Sequence, residues 1–169
     1  GLWRAPGSDG DIVLGADVED EDVASASGNI TIQADKLQAN NHTVIAQSTV
    51  ALVVESVGDD FLGDSSTIKI EATGDYFSSI RLGKSGNTGE LTSNAELTAD
   101  GTFESHGPLT LGDSITTSGS HDYNGDVTIA GPVVVLSSVG GSSTGAAMDF
   151  DGNINGAVSD DSELFLASG

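Results

Sequence analysis

Like residues recur every 18 positions in the stretch Glu90–Val139, which reads ELTSNAELTADGTFESHGPLTLGDSITTSGSHDYNGDVTIAGPVVVLSSV. Leu91, Leu109 and Val127 occupy the same place in this repeat, and a threonine follows each of them. A glycine recurs at a second shared place. Self-similarity at a short fixed period is typical of solenoid proteins, in which every repeat packs against its neighbours.

The apolar residues at the first and third places of the repeat recur along the whole chain. Nine copies are present, and their first members are 16 to 23 positions apart. We predict that the members of these pairs line a continuous core, namely Ile12, Leu14, Ile30, Ile32, Val50, Leu52, Ile68, Ile70, Leu91, Leu109, Leu111, Val127, Ile129, Met148, Phe150, Leu164 and Leu166.

Alternation of apolar and polar residues over four or five positions predicts short β-strands, and no apolar stripe with helical spacing is present. Strands this short cannot bury their inward faces alone, so a coiled chain with strands stacked between successive turns is the economical solution. The period therefore predicts an all-β parallel β-helix of about nine rungs, with 18 to 20 residues in each. An antiparallel β-sandwich would also have short strands, but it does not explain identical residues at a constant offset.

The length of 169 residues fits one domain. We expect residues 1–10 to be an N-terminal extension or cap and residues 11–169 to be a single β-helix domain, part of a longer array or filament. The open rungs should then be covered by adjacent repeats or by other copies of the chain. Trp3, the single tryptophan, could pack against an end or a neighbour and so contribute to assembly; a disordered tail is the alternative.

Acidic residues dominate the charge, with 26 Asp and Glu against 5 Lys and Arg and a formal net charge of −21. Nucleic acids and anionic membrane surfaces would be repelled, so we expect neither as a partner. The absence of cysteine excludes a disulfide framework and thiolate metal sites. The sequence contains no run of eighteen apolar residues of the kind that predicts a membrane span, so we expect no insertion into a membrane.

Two acidic places are candidate calcium sites. The segment 151–156, DGNING, matches the start of a calcium loop at Asp151, Asn153 and Asn155, but serine stands where such a loop needs its bidentate glutamate. A strand and turn is therefore the favoured interpretation. The second place is the acidic corner with Asp59, Asp60 and Asp64, for which a solvated face is the alternative. Calcium is the only cofactor that we consider, and we expect no other.

The residues that could carry catalysis are scattered. We predict that the three histidines, His42, His106 and His121, lie at corners or point outward. The separation of His106 and His121 is a little shorter than one repeat, so adjacent rungs could bring them together as a minimal metal site. Paired carboxylates for cleaving polysaccharides are a further possibility on this fold, but only 5 basic residues and 2 tyrosines are available to build a sugar platform. We expect no enzyme activity and assign no catalytic residues.

Several strings resemble the repeats of filamentous haemagglutinin-like exoproteins, the two-partner-secretion or autotransporter-type adhesins of Gram-negative bacteria. The strongest is SITTSGSHDYNGDVTIAGPVV at Ser114–Val134. FDGNINGA at Phe150–Ala157 and ELFLASG at Glu163–Gly169 resemble the next step of that pattern, and GNITIQADKL at Gly28–Leu37 and SSIRLGKSGNTG at Ser78–Gly89 resemble another recurring part.

The resemblance implies a right-handed parallel β-helix in a secreted or cell-surface adhesin, where this region is a structural stalk without catalytic residues. It implies an extracellular location and attachment to an unidentified surface, glycan or protein receptor. Two other functions remain open. One is a self-assembling extracellular fibre subunit whose open ends stack head to tail, and the other is a polysaccharide-active enzyme, which rests on fold analogy alone.

Overall fold

A computed structural model of the chain describes residues 2–4, 12–14, 22–25, 29–33, 44–46, 51–56, 66–68, 77–93, 96–138, 145–157 and 162–168. These residues form strands and turns, with no helix among them. The strands are β1 (Leu2–Arg4), β2 (Ile12–Leu14), β3 (Asp22–Ser25), β4 (Ile30–Gln33), β5 (Val44–Ala46), β6 (Ala51–Glu55), β7 (Ser66–Ile68), β8 (Ser79–Leu82), β9 (Leu91–Ser93), β10 (Leu97–Ala99), β11 (Phe103–Ser105), β12 (Leu109–Leu111), β13 (Ile115–Thr117), β14 (His121–Tyr123), β15 (Val127–Ile129), β16 (Val133–Ser137), β17 (Met148–Phe150), β18 (Ile154–Gly156) and β19 (Glu163–Ala167).

Every pairing between these strands is parallel. The largest sheet has seven strands in the order β17-β14-β11-β8-β6-β4-β2, a second has five in the order β18-β15-β12-β9-β7, and a third has four in the order β10-β13-β16-β19. Strands β1, β3 and β5 form a further three-stranded sheet. Three successive strands of one coil thus enter three different sheets, so the predicted parallel β-helix is confirmed and the antiparallel sandwich is excluded.

The register of the five-stranded sheet follows the 18-residue repeat. Leu91 lies beside Leu109, Leu109 beside Val127, and the threonines that follow them align in the same way. Leu97 likewise lies beside Ile115. The turns between these strands have equal lengths, which is why sequence offset and spatial register agree here.

The 18-residue spacing fails at β16. It predicts Val133 beside Ile115, but Leu136 takes that place, three residues further along the chain. The amides of Ala130 and Gly131 both donate to the carbonyl oxygen of Leu111, so this corner contains extra residues before the next strand pairs. Val133 consequently points outward and is 49% exposed.

The nine apolar pairs do not form one column either. The pairs that begin at Ile12, Ile30 and Met148 lie in the seven-stranded sheet, whereas the copy at Leu164 lies in the four-stranded sheet. In addition, the repeat aligns Ile30 with Val50, but Ile30 lies beside Leu52 in the sheet. The residues in register along the seven-stranded sheet are 18, 22, 28, 23, 18 and 27 positions apart, because the connecting loops differ in length.

Inward-facing side chains form one continuous core. Its buried members are Ile30, Leu52, Val54, Phe77, Ile80, Leu82, Leu91, Leu97, Ala99, Phe103, Leu109, Leu111, Ile115, Tyr123, Val127, Ile129, Val134 and Leu136, with Met148, Phe150 and Leu164 packed against them. Each fully buried leucine or isoleucine contributes about 1.5–3 kcal/mol relative to an exposed one.

Leu166 is a correction to the predicted core, since it is 53% exposed. It lies on β19, the outermost strand of its sheet, and no further strand of the described chain stacks over it. Val50 and Ile70 lie outside the described residues, and only the backbone is described for Ile12, Leu14, Ile32 and Ile68.

Glycines allow the corners to stack closely. A Cβ atom on Gly119 would lie 2.7 Å from both the carbonyl carbon and the carbonyl oxygen of Gly101, one coil below. Gly107 has φ of +84°, and a Cβ atom there would lie 2.8 Å from the carbonyl oxygen of Asn87. Side chains would force the coils apart at these corners, which accounts for the glycine repeat in the sequence.

Candidate functional site

The outer face of the seven-stranded sheet carries a column of charged side chains. Arg81, Glu104, Asp122 and Asp149 are in register on β8, β11, β14 and β17. Neighbouring strands are about 4.8 Å apart, so three carboxylates follow one another at close range. We call Glu104, Asp122 and Asp149 the carboxylate column.

Arg81 lies at one end of the carboxylate column and bonds to residues outside that column. Its Nη2 atom donates to Oε2 of Glu55 at 2.9 Å, and its Nη1 atom donates to the carbonyl oxygen of Gly83, also at 2.9 Å. The guanidinium is therefore held over the neighbouring coil. The charge along the sheet therefore changes from a neutral ion pair to the negative carboxylate column.

The electrostatics of the column converge on Asp122. Partial burial raises the pKa of its carboxyl group, and the negative charges of Glu104, Asp149 and Asp151 raise the pKa further. His106 opposes this effect; its Nε2 atom lies 2.7 Å from Oε1 of Glu104. Such a surface attracts cations and repels anionic polymers.

The outer face of the five-stranded sheet carries stacked hydroxyl groups. Thr92, Thr110 and Thr128 are in register, followed by Asn155. The Thr110 hydroxyl donates to a carboxylate oxygen of Glu90, on the adjoining corner. A shorter column on the four-stranded sheet contains Thr98, Thr116 and Ser137. The side chains of these two columns are polar and uncharged, in contrast to the carboxylate column.

The first candidate calcium segment follows the strand and turn interpretation. The amide of Asp151 donates to the carbonyl oxygen of Tyr123, and Asn155 lies within β18. Asn153 donates through its backbone amide and its Nδ2 atom to Oδ1 of Asp126, at 2.8 and 3.2 Å. The three predicted ligands are all exposed. Their backbone is thus shared between a corner and a strand.

Among the residues that the structure describes, no group of three or more His, Cys, Asp or Glu side chains is arranged to hold a metal ion. The second candidate calcium site, with Asp59, Asp60 and Asp64, lies outside the described residues. Calcium binding at either place stays a prediction.

The histidines differ from what the sequence predicts. His121 is 1% exposed and points into the core, so the expectation that it lies at a corner or points outward is wrong. It lies on β14 in register with Phe103, one repeat further on, and therefore inherits an inward position. His106 contacts Glu104 at the surface edge of the sheet, so the two histidines do not share a site. His42 lies outside the described residues.

His121 is part of a buried hydrogen-bond network that no motif in the sequence indicates. Its Nδ1 atom is 2.9 Å from the Tyr123 hydroxyl oxygen, and its Nε2 atom is 2.8 Å from Oγ1 of Thr117. Burial lowers the pKa of His121 from 6.5 to about 4, and burial also raises the pKa of Tyr123. The ring is neutral at physiological pH, and its enclosure keeps it from contact with a substrate.

A second polar cluster fixes the turn after β8. The amide of Lys84 donates to Oδ1 of Asn87 at 2.7 Å, and Nδ2 of Asn87 donates to Oγ of Ser56 at 3.2 Å. Nζ of Lys84 donates to the carbonyl oxygen of Ser56 at 3.1 Å. The Gly and Asn residues in GKSGNTG signal a turn, but the sequence does not show that Ser56 is its partner.

Apolar side chains are exposed on the outermost described strands. Ile154 is 42%, Phe165 52% and Leu166 53% exposed. At the other end of the chain, Trp3 lies on β1 in register with Val23 of β3, and its side chain is outside the described residues. The assembly role of Trp3 stays a prediction.

Within the described ranges, no helix is long and apolar enough to cross a membrane. Neither the protein-family models nor the curated proteins and solved structures contain a significant match to this chain.

Proposed function

We propose that the chain is a structural segment of a secreted or cell-surface adhesin of a Gram-negative bacterium, in which a stiff β-helical stalk holds a binding surface away from the cell. The observation that carries the proposal is the uninterrupted parallel stacking of β2, β4, β6, β8, β11, β14 and β17 in one sheet. The resemblance of the sequence to adhesin repeats supports the same function.

The stalk would work through the interactions between its coils. Each coil bonds to the next through backbone hydrogen bonds in three sheets and through continuous apolar columns. A bending load is therefore shared among many neighbouring contacts, as in other solenoids. This is a mechanical function, for which no catalytic residue is needed.

The outer columns would govern what the stalk contacts. The carboxylate column repels anionic polymers and favours cations, calcium among them. The threonine columns offer hydroxyl groups that can both donate and accept hydrogen bonds, which suits a glycan or a polar protein surface. The receptor itself would be a surface, glycan or protein of this kind.

Single-molecule pulling tests the stalk function. The chain is held by handles at its two ends and stretched at neutral pH. We expect force peaks that repeat as successive coils detach, with the described coils from β8 to β19 among them. An extension without resistance would contradict a load-bearing stalk. Leu109→Asp places a charge in a buried column, so it should lower the peak forces of the neighbouring coils.

A second function, a fibre subunit that stacks end to end, is favoured by the exposed side chains of Ile154 and Leu166 on the outermost strands. Electron microscopy at concentrations spanning two decades, with and without calcium, tests it. Filaments of uniform width that disappear in Leu166→Asp but persist in Val133→Asp would support end stacking. Val133 is a matched control because it is similarly exposed but points sideways. Short isolated rods at every concentration would exclude the fibre.

A further inference from the structure

The coil that begins with β14 buries a histidine and a tyrosine in its interior. His121 and Tyr123 both point inward from β14, and Thr117 joins them from β13; all three are at most 1% exposed. In the same column of the seven-stranded sheet, the preceding inward residues are Ile80 and Phe103, which are apolar. β14 therefore places a titratable ring at a position that is apolar on the two preceding strands of this sheet.

The hydrogen bonds fix the proton on the histidine ring. Oγ1 of Thr117 is 2.6 Å from the carbonyl oxygen of Gly119, which can only accept, so the threonine proton is committed to that bond. Oγ1 of Thr117 must then accept from Nε2–H of His121. Nδ1 carries no proton and accepts from the Tyr123 hydroxyl. One neutral tautomer satisfies the whole chain of bonds, from Tyr123 to the corner at Gly119.

A proton added to Nδ1 breaks this arrangement. The ring would then donate from both nitrogens, and the Tyr123 hydroxyl would have to turn its own proton away from its partner. A backbone hydrogen bond of Ser137 acts to raise the pKa of His121, but burial outweighs it. Further neighbours are aromatic, since the ring centroid of Phe103 is 5.8 Å from that of His121, and Phe150 stacks on Tyr123 at 4.5 Å. A charge buried among these rings would lack a counter-charge.

The titratable groups on the strands packed against His121 supply no counter-charge to the interior. β11, β14 and β17 carry Glu104, Asp122 and Asp149, which all belong to the outer carboxylate column. β13 and β16 carry no titratable side chain. Tyr123 is the one titratable group that shares the interior with His121 within the described part of these strands. Acid therefore charges the interior, while on the outside it relieves repulsion between carboxylates.

We propose that His121 makes the coil of β14–β16 an acid-labile joint, so that acidification opens the strands from β14 to β19 before the strands from β8 to β13. β17, β18 and β19 stack on β14, β15 and β16, respectively, and have no other strand partner in the described chain. Loss of the joint therefore releases them as well. This inference goes beyond the stalk function and does not depend on it.

Hydrogen exchange measured by mass spectrometry between pH 7 and pH 4, with labelling times corrected for intrinsic exchange rates, tests the proposal on the whole chain. In the wild type, peptides within 121–168 should lose protection before peptides within 79–117. Linkage with a histidine pKa of 6.5 in the open state and about 4 in the closed state predicts that opening increases about 20-fold between pH 7 and pH 5.

The variant His121→Phe/Tyr123→Phe removes the titrating ring together with the hydroxyl group that it would leave unpaired. It should keep residues 121–168 protected at pH 5. Asp122→Asn is the matched control: it removes a carboxylate whose repulsion acid would relieve on the outside of the same strand, so it should open at least as readily at pH 5 as the wild type. Equal acid sensitivity in the double variant, or simultaneous opening of 79–117 and 121–168 in the wild type, would overturn the proposal.

An NMR titration of the His121 ring in the wild type is independent of whether the double variant folds. A ring that stays neutral until the flanking coil opens supports the joint. A ring that titrates near pH 6.5 while residues 121–168 remain protected would also overturn it.

Discussion

Replacement of Gly119 by alanine tests whether the corners of the coils are as closely stacked as the structure has them. The added Cβ atom would lie 2.7 Å from the carbonyl carbon and oxygen of Gly101 and 3.0 Å from the amide nitrogen of Thr102. All three are backbone atoms, so no side-chain rotation can relieve the contact, and two coils must separate locally. Overpacking of this kind costs about 1–3 kcal/mol. The lower flexibility of alanine in the unfolded chain offsets about 0.4–1 kcal/mol.

We therefore expect Gly119→Ala to lower the free energy of unfolding by about 1–2 kcal/mol, after allowing for both effects. Urea denaturation followed by far-ultraviolet circular dichroism at pH 7 measures the change. Gly156→Ala is the control, because a Cβ atom there meets nothing within 4 Å and neither glycine has a positive φ. The control should match the wild type or exceed its stability by up to about 1 kcal/mol, because it gains the same unfolded-chain effect without a clash. Equal midpoints for the two variants would refute the proposed stacking of the corners.

Three further predictions concern the core, pH and an ion pair. Leu109→Ala, at a buried position between two neighbouring strands, should lower the free energy of unfolding by about 2–5 kcal/mol in urea denaturation, and a loss below about 1 kcal/mol would contradict its place in the column. The stability that neutral His121 provides should be fully present above pH 6.5 and should decline by about 3 kcal/mol in total as the pH falls towards 4, because the pKa of the ring is lower in the folded state. Urea midpoints across this pH range measure the decline. Asp122, whose pKa is raised in the folded state, acts in the opposite sense. The pair of Arg81 and Glu55 is partly exposed, so a double-mutant cycle should yield a coupling of about 0.2–1 kcal/mol that shrinks in high salt; a coupling that is unchanged by molar salt would contradict this.

The sequence predicts the fold well where the turns have constant length. Between Leu91 and Ile129 the coils are equally long, so residues at the same offset lie side by side in space. The period alone therefore predicts the strand type, the parallel pairing and the inward positions. The same reasoning assigns the recurring glycine to a corner, which the contact of Gly125 with Gly107 explains.

The sequence does not predict register across loops of unequal length. The steps from Leu52 to Ile80 and from His121 to Met148 are longer than one repeat because they contain insertions, and an offset counted along the chain says nothing about where an insertion ends. Exposure at the outermost strand also escapes prediction. Leu166 has the apolar pattern of a core residue, but burial depends on whether another strand covers it.

The carboxylate column could not be predicted from the sequence either, because the loops between its strands differ in length. Arg81, Glu104, Asp122 and Asp149 are separated by unequal steps along the chain, so the carboxylate column appears only after the strands are in register. His121 could have been placed in the core, because it follows Phe103 by one full repeat. Such a placement requires β11 to be identified as an inward-facing strand, whereas the apolar pairs highlight β12 instead.

The repeat also determines where such a molecule should yield. In a solenoid, stability is approximately a sum of the intrinsic stability of each coil and the interfaces between neighbours, so a coil with an unusual interior weakens one place without weakening the rest. Apolar columns respond little to pH, whereas the coil with His121 requires a neutral ring. Its corner, where Thr117 bonds to Gly119, is also one of the places where the coils approach closely. Acid and overpacking should therefore act on the same coil, and Gly119→Ala should shift acid-induced opening of residues 121–168 to higher pH. Gly156→Ala should leave the pH of opening unchanged. Hydrogen exchange on both variants would show whether one coil limits both responses, and an unchanged pH of opening in Gly119→Ala would show that the corner and the histidine network act independently.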